Sequence, residues 1–275
     1  MELSIWSSYY IDLSPEEMVC EFAKQGIGFS ELSDEHSAML LERGDPEETG
    51  RAFRAYAESQ GVNFRQGHLL LRCRICQPDR QEMLRTMARW FALYKAIGIE
   101  RAVLHCDGSS FPAETADEDM LAANIEALKA LTSLLEGSGM TICIENLIEV
   151  TASAEELLAV VQAVGGEHIA ICLDTGHLNL TDKDQQAFIH KTGKHLKALH
   201  IADNEGQTDQ HMMPFGRGNV DFAGVVRALR EVGYDGLFNL EIPGENRCPL
   251  AVRGYKLAYI KEVYGYLMGE SDVSV

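Results

Sequence analysis

The sequence predicts an α/β chain closed into a single (β/α)8 (TIM) barrel, and three observations predict it. The chain has 275 residues, close to the ~250 over which this fold forms as one domain. Short apolar runs alternate eight times with longer stretches of helical spacing, the βα repeat of roughly 30 residues that closes into a barrel. The runs are near-continuously apolar, as strands of a parallel sheet covered on both faces must be. An open doubly wound sheet would place a GxGxxG turn after an early strand, and none occurs there. Residues 1–275 are read as one domain, without linker or low-complexity tract.

The first strand is expected at Leu3–Ser7, with a helix from Ser14, where Ser14-Pro15-Glu16-Glu17 supplies an N-cap, a proline at N1 and an acidic first turn. The second is Gly28–Leu32, with a helix over Asp45–Gln60 that is again entered through Asp-Pro. Strand three is Val62–His68 with helix Arg80–Ile97, and strand four is Ala102–Cys106 with helix Glu118–Glu136. Strand five is Thr141–Glu145 with helix Ser153–Val164, and strand six is Ile169–Asp174 with helix Lys183–Thr192. Strand seven is Lys197–Ile201 with helix Asp221–Val232, and strand eight is Leu237–Ile242 with a last helix over Pro249–Met268.

Composition narrows the function. Apolar residues make up 46% of the chain, enough for a large core. No apolar run approaches the ~18 residues that span a bilayer. Met1-Glu2-Leu3-Ser4-Ile5-Trp6 carries an acid where a signal peptide needs bases, so it reads as a first strand and the protein as cytoplasmic. Acidic residues outnumber basic ones 42 to 24, for a net charge of −18. Such a surface repels phosphate backbones and argues against nucleic acid as the main partner. The seven cysteines are scattered, and Cys106, Cys143 and Cys172 sit in apolar runs that suit reduced, buried thiols. Cys73-Arg74-Ile75-Cys76 has no second CxxC and reads as two unrelated thiols.

Barrels of this kind place chemistry at the C-terminal ends of their strands. Here strands five to eight each deliver one ionisable group there: Glu145, Asp174, His200 and Glu241. Asp174 lies 29 residues after Glu145, His200 lies 26 after Asp174, and Glu241 lies 41 after His200, so the last interval holds an extra loop. Three carboxylates and an imidazole on one mouth require a counter-charge. A divalent cation supplies it, and the donor set suits Mn²⁺, Mg²⁺ or Co²⁺, with Zn²⁺ also accommodated.

Taken together, Glu145-Asn146, Asp174-Thr175-Gly176-His177, His200-Ile201-Ala202-Asp203, the Asp209-x-His211 to Gly216-x-Gly218 stretch and Glu241 resemble the xylose isomerase-like TIM-barrel superfamily. Within it, the chain is most similar to the sugar (phosphate) isomerase/epimerase group that includes the ketose 3-epimerases. The resemblance implies one Mn²⁺-like ion on Glu145, Asp174, His200 and Glu241. It implies that Glu145 and Glu241 also exchange a proton at the carbon beside a carbonyl, through a metal-stabilised enediolate, and that His177 orients a substrate hydroxyl. A small sugar or sugar phosphate would be the substrate, and a homo-oligomer the assembly.

The pattern departs at Asp209-Gln210-His211, where ketose 3-epimerases carry an Asp-x-Arg. His211 there changes the donor geometry and can itself bind metal. With His68, His105, His177 and Asp209 it offers every extra ligand of a related three-zinc apurinic-site endonuclease, a phosphodiesterase reading that the acidic charge opposes. His68 and His105 equally suit substrate contacts or core groups. Metal-dependent dehydratases of cyclic polyols share the proton abstraction and form a third reading. A non-catalytic sugar-binding barrel is a fourth, disfavoured because clustered carboxylates are a costly arrangement for binding alone. Arg217, between Gly216 and Gly218, is positioned to pair a phosphate or carboxylate if the glycines let the loop approach an anion, or else marks a plain turn. Trp6, Glu31 and His36 lie near early strand ends, with Glu31 read as either a substrate contact or a buried ion pair.

Overall fold

A computed structural model describes residues 1–72, 74–148 and 150–269. Cys73 of the CxxC lies outside the described residues, as do the last six residues of the expected domain.

Eight parallel strands run β1 (Glu2–Trp6), β2 (Phe29–Leu32), β3 (Asn63–His68), β4 (Arg101–Leu104), β5 (Thr141–Glu145), β6 (Ile169–Asp174), β7 (Leu196–His200) and β8 (Leu237–Leu240). Consecutive strands pair side by side from β1 to β7, and β8 pairs with β1. The circle closes just past β7, where Ile201 bridges Leu240: Ile201 N–H donates to Asn239 C=O at 2.8 Å and Glu241 N–H to Ile201 C=O at 3.1 Å. The expected TIM barrel is the fold observed.

The helices are α1 (Pro15–Lys24), α2 (Asp34–Leu41), α3 (Pro46–Ser59), α4 (Arg80–Ile97), α5 (Asp117–Ser133), α6 (Ala154–Val164), α7 (Thr175–Leu180), α8 (Gln185–Thr192), α9 (Phe222–Glu231) and α10 (Leu250–Met268). Side chains start them as the sequence indicates. Ser14 and Ser153 form capping boxes with Glu17 and Glu156, and Asp45 and Asp221 cap α3 and α9. Two helices were not expected. The apolar residues of α2 do not recur on one face, and α7 is a six-residue turn, Thr-Gly-His-Leu-Asn-Leu, whose composition reads as loop.

Strand alternation sorts the core into two compartments. Outward positions such as Ile142, Ile144, Ile169, Ile171 and Leu173 pack with the helices in the main core. Inside the barrel Val103, Cys143, Ala170, Cys172 and Ala198 form a separate cluster of small side chains. Two residues beyond such an interior position, on the same face of each strand, come His105, Glu145, Asp174 and His200. The ionisable layer is therefore the topmost interior layer of the barrel.

A clamp joins the two ends of the chain. Buried Arg253 of α10 donates to both carboxylate oxygens of Asp12, at 2.6 and 2.9 Å, and through Nε to Cys248 C=O at 3.0 Å. Its own carbonyl accepts from the Tyr9 hydroxyl at 2.9 Å. Removing one partner of a fully buried pair costs about 3–5 kcal/mol. Asp12 is partly in solvent, so Asp12→Ala is expected to lower the unfolding free energy by about 1–3 kcal/mol in urea denaturation. An unchanged midpoint would show that the clamp contributes nothing.

Candidate metal centre

The mouth of the barrel opens into a cavity of about 640 Å³. Glu145 and Glu241 line its floor, and Asp174 and His200 lie fully buried directly beneath. One ligand atom from each of these four residues falls within 4.8 Å of the others. His200 Nδ1 is 3.1 Å from a carboxylate oxygen of Glu145 and 3.1 Å from one of Glu241. Yet His200 Nδ1, Asp174 Oδ2 and Glu241 Oε2 are buried without a hydrogen-bond partner. An unmet buried polar atom costs about 1–3 kcal/mol. Three of them converging on one point fit a divalent cation held by oxygen and imidazole donors.

His200 is aimed by its other nitrogen. Nε2–H donates to Glu31 at 3.0 Å, which leaves Nδ1 facing the carboxylates. Glu31 is itself fully buried, accepts from the Asn239 amide, and Asn239 Oδ1 accepts from the Ser4 hydroxyl at 2.8 Å. This chain crosses β7, β2, β8 and β1. It is the carboxylate–histidine arrangement that orients metal ligands and sets their tautomer. Of the two sequence readings of Glu31, the structure selects the buried pair, since Glu31 does not line the cavity. Asn239 and Ser4 were not singled out from sequence, because a buried amide and hydroxyl inside a strand carry no spacing signal.

Further imidazoles flank the quartet. On one side His105 Nε2 lies 3.2 Å and His68 Nε2 3.6 Å from Glu145 Oε2, and His68 Nε2 has no hydrogen-bond partner. On the other, Asp209 sits between His177 Nε2 at 3.3 Å and His211 Nε2 at 3.0 Å. Asp174, His177 and His211 form another group with ligand atoms within 4.8 Å. His177 is placed by α7, whose N-cap Asp174 accepts from the His177 N–H at 2.6 Å. His211 sits in the left-handed region at φ 43°, a strained position for a non-glycine residue, with Nδ1 3.0 Å from Glu241 C=O.

Electrostatics follow from this crowding. Burial pushes the Asp174 carboxyl up to about 6 despite His177 and His211. Elsewhere attraction overcomes burial. Asp174, Asp209 and Glu145 hold His177 up to about 12, and Asp209, Glu241 and Asp174 raise His211 to about 10. Glu145 raises His68 to about 9 against its complete burial. Against their own burial, His200 holds Glu241 down to about 2 and Glu145 well below the usual carboxylate range. Protons on the imidazoles thus balance carboxylates that a cation would otherwise balance.

Other expected site residues lie elsewhere. Arg217 is exposed and paired with Glu205 at 2.7 Å, outside the cavity lining. Gly218 serves close packing: a Cβ there would lie 2.0 Å from Asp203 Oδ1. His36 is buried among Ser7, Ser33 and the Leu13 carbonyl, away from the cavity.

A closed parallel barrel with buried carboxylates and imidazoles at its C-terminal mouth defines a class of sugar-handling and phosphodiester-cleaving barrels. Within it, the chain belongs to the xylose isomerase-like TIM-barrel family, whose model matches residues 21–263. It is 28% identical over 151 residues to an L-ribulose 3-epimerase of Mesorhizobium japonicum, covering 50% of this chain and 48% of the relative. It is 30% identical over 89 residues to a D-psicose 3-epimerase of Enterocloster bolteae, covering 32% and 28%. The chain thus spans about half the length, or less, of the curated relatives it matches. A solved D-psicose 3-epimerase from Clostridium cellulolyticum H10 superposes with a TM-score of 0.83 at 16% identity, covering 97% of this chain and 99% of that one, and shares its fold.

Losing the carboxylate behind His200 should free the ring to rotate. Glu31→Ala is expected to weaken Mn²⁺ binding roughly 10- to 100-fold in calorimetric titration while the circular dichroism spectrum is retained. Unchanged affinity would mean that His200 is oriented without Glu31.

Proposed function

We propose that the chain is a metal-dependent sugar isomerase or epimerase that moves a proton at the carbon beside a carbonyl. Residues 1–275 act in this reading as one cytoplasmic domain on a small sugar or sugar phosphate. Glu145, Asp174, His200 and Glu241 would hold one divalent ion, Mn²⁺ first among the candidates. The observation that carries the reading is the convergence of three unpartnered ligand atoms beneath a cavity floor made by two carboxylates. The names of the epimerase relatives support it.

The bound ion would supply Lewis-acid stabilisation of charge developing on the substrate's carbonyl oxygen. The protein supplies the proton transfers. Glu145 reaches the mouth from β5 and Glu241 from just beyond β8, so the two carboxylates approach a bound sugar from different sides. One removes the proton and the other returns one to the opposite face. Burial and His200 keep both in defined states, as a general base requires. His177, held by Asn146 C=O at 3.0 Å and Asp209, would direct an N–H toward a substrate hydroxyl. His105 and His211 line the same cavity and would contact substrate oxygens.

A second reading has an observation of its own. His68 and His105 beside Glu145, and Asp209 with His177 and His211, are two further donor groups flanking the quartet. Three ions, and zinc in particular, would suit them, and the activity would be phosphodiester cleavage. The absence of lysine and arginine among the described lining residues weighs against a phosphate-backbone substrate.

Elemental analysis of protein purified without chelator separates the two. About one manganese, magnesium or cobalt per chain is the expected result, and close to three zinc would favour the phosphodiesterase and direct assays to abasic DNA. Glu145→Gln and Glu241→Gln are each expected to lower solvent-deuterium exchange into substrate about 10²- to 10⁴-fold, with folding retained. Full exchange in both variants would end the epimerase reading, and water loss with a new ultraviolet-absorbing enone would convert it to a dehydratase.

A further inference from the structure

The cavity is chemically two-layered. Its ionisable lining, including His105, Glu145, His177, His211 and Glu241, sits at the strand ends. Further out along the same loops come apolar groups: Leu71 three residues past His68, Leu147 and Ile148 directly past Glu145 and Asn146, and Pro243 two residues past Glu241. Trp6 and Val150 complete this wall. Leu71 and Ile148 are 37% and 45% exposed, unusual for large apolar side chains beside a polar site.

The polar lining side chains that are not ionisable are already engaged. Ser109 donates to Asp107 at 3.2 Å. Gln210 accepts from Glu205 N–H at 2.9 Å and donates to the Glu205 carboxylate at 3.1 Å. A phosphate at the outer end of a substrate would find no lysine or arginine among the described lining residues, and it would face a chain of net charge −18. A row of hydroxyls there would lose water against Leu71, Leu147, Ile148 and Val150 without gaining partners. An apolar group in the same place buries surface on both sides.

We propose that the substrate is an uncharged keto-sugar carrying an apolar substituent at the end remote from its carbonyl. This rests on the isomerase/epimerase reading and narrows its substrate class to unphosphorylated, partly apolar sugars. The wall formed by Trp6, Leu71, Leu147, Ile148, Val150 and Pro243 selects that substituent.

Achiral fragments test the wall without requiring the right sugar. Mn²⁺ is first titrated into the protein, and the loaded protein is then titrated with dihydroxyacetone, dihydroxyacetone phosphate and 1-hydroxy-4-phenyl-2-butanone. The phenyl ketone is expected to bind at least tenfold more tightly than dihydroxyacetone, and the phosphate most weakly. Ile148→Asp and Leu71→Asp, both at exposed positions, are expected to erase that tenfold gain and leave dihydroxyacetone binding within twofold. Tightest binding by the phosphate, equal binding of the two neutral ketones, or no ketone binding to loaded protein would overturn the proposal. Failure to take up Mn²⁺ in the first titration would instead bring down the metal-dependent reading on which it rests.

Discussion

Carboxylates without water must be compensated, and this barrel buries four of them within reach of one another. Glu31, Glu145, Asp174 and Glu241 are each at most 5% exposed. Taking a single ion out of water costs several kcal/mol even after relaxation. The fold meets this cost with a layer of imidazoles, His68, His200 and the neighbouring His105, His177 and His211, each close to at least one carboxylate. The rest of the mouth is arranged around that balance. Asp174 doubles as the cap of α7, and the left-handed turn at His211 returns its ring to Asp209 and Glu241.

The compensation is incomplete, and the shortfall is informative. Hydrogen bonds satisfy the outer nitrogens of the cluster, such as His200 Nε2 on Glu31 and His68 Nδ1 on Leu69 C=O at 2.6 Å. The inner atoms remain unmet. A stable interior leaves few polar atoms in that state, and those that persist mark strain or a missing partner. Here they point inward together, toward the place where strands β5 to β8 end. The small side chains of the barrel interior below, Cys143, Ala170, Cys172 and Ala198, fill the space without adding charge or polarity to compete with that layer.

The geometry also separates support from contact. Glu31, Asn239 and Ser4 form a line of hydrogen bonds beneath His200 and never reach the cavity. Above the ionisable layer the loops after β1, β3, β5 and β8 contribute an apolar rim. One barrel mouth therefore carries three chemically distinct levels: a positioning network, a donor layer and a wall that meets the outer part of a ligand.

Eight apolar runs at βα spacing specify a barrel because strands buried on both faces cannot form another parallel sheet of this length without an open edge. Three elements, Arg80–Ile97, Thr141–Glu145 and Ile169–Asp174, fall on their expected bounds, since caps and strand composition mark their ends locally. The four strand-end groups were legible for the same reason: each directly follows an apolar run, and strand alternation sends it inward. α2 and α7 were not legible, being too short and too polar to show a period. Arg217 and Gly218 looked like an anion site from their composition, but Glu205 draws the arginine outward and Asp203 occupies the space above the glycine. The pairing of Glu31 with His200 spans 169 residues, and the engagement of Gln210 by Glu205 depends on the course of a long loop. Sequence by itself determined which groups reach the mouth, because that follows from local periodicity. Only the tertiary structure decided which of them face one another, which are held from behind and which meet a ligand, because those relations depend on closing the barrel and bringing distant strands side by side.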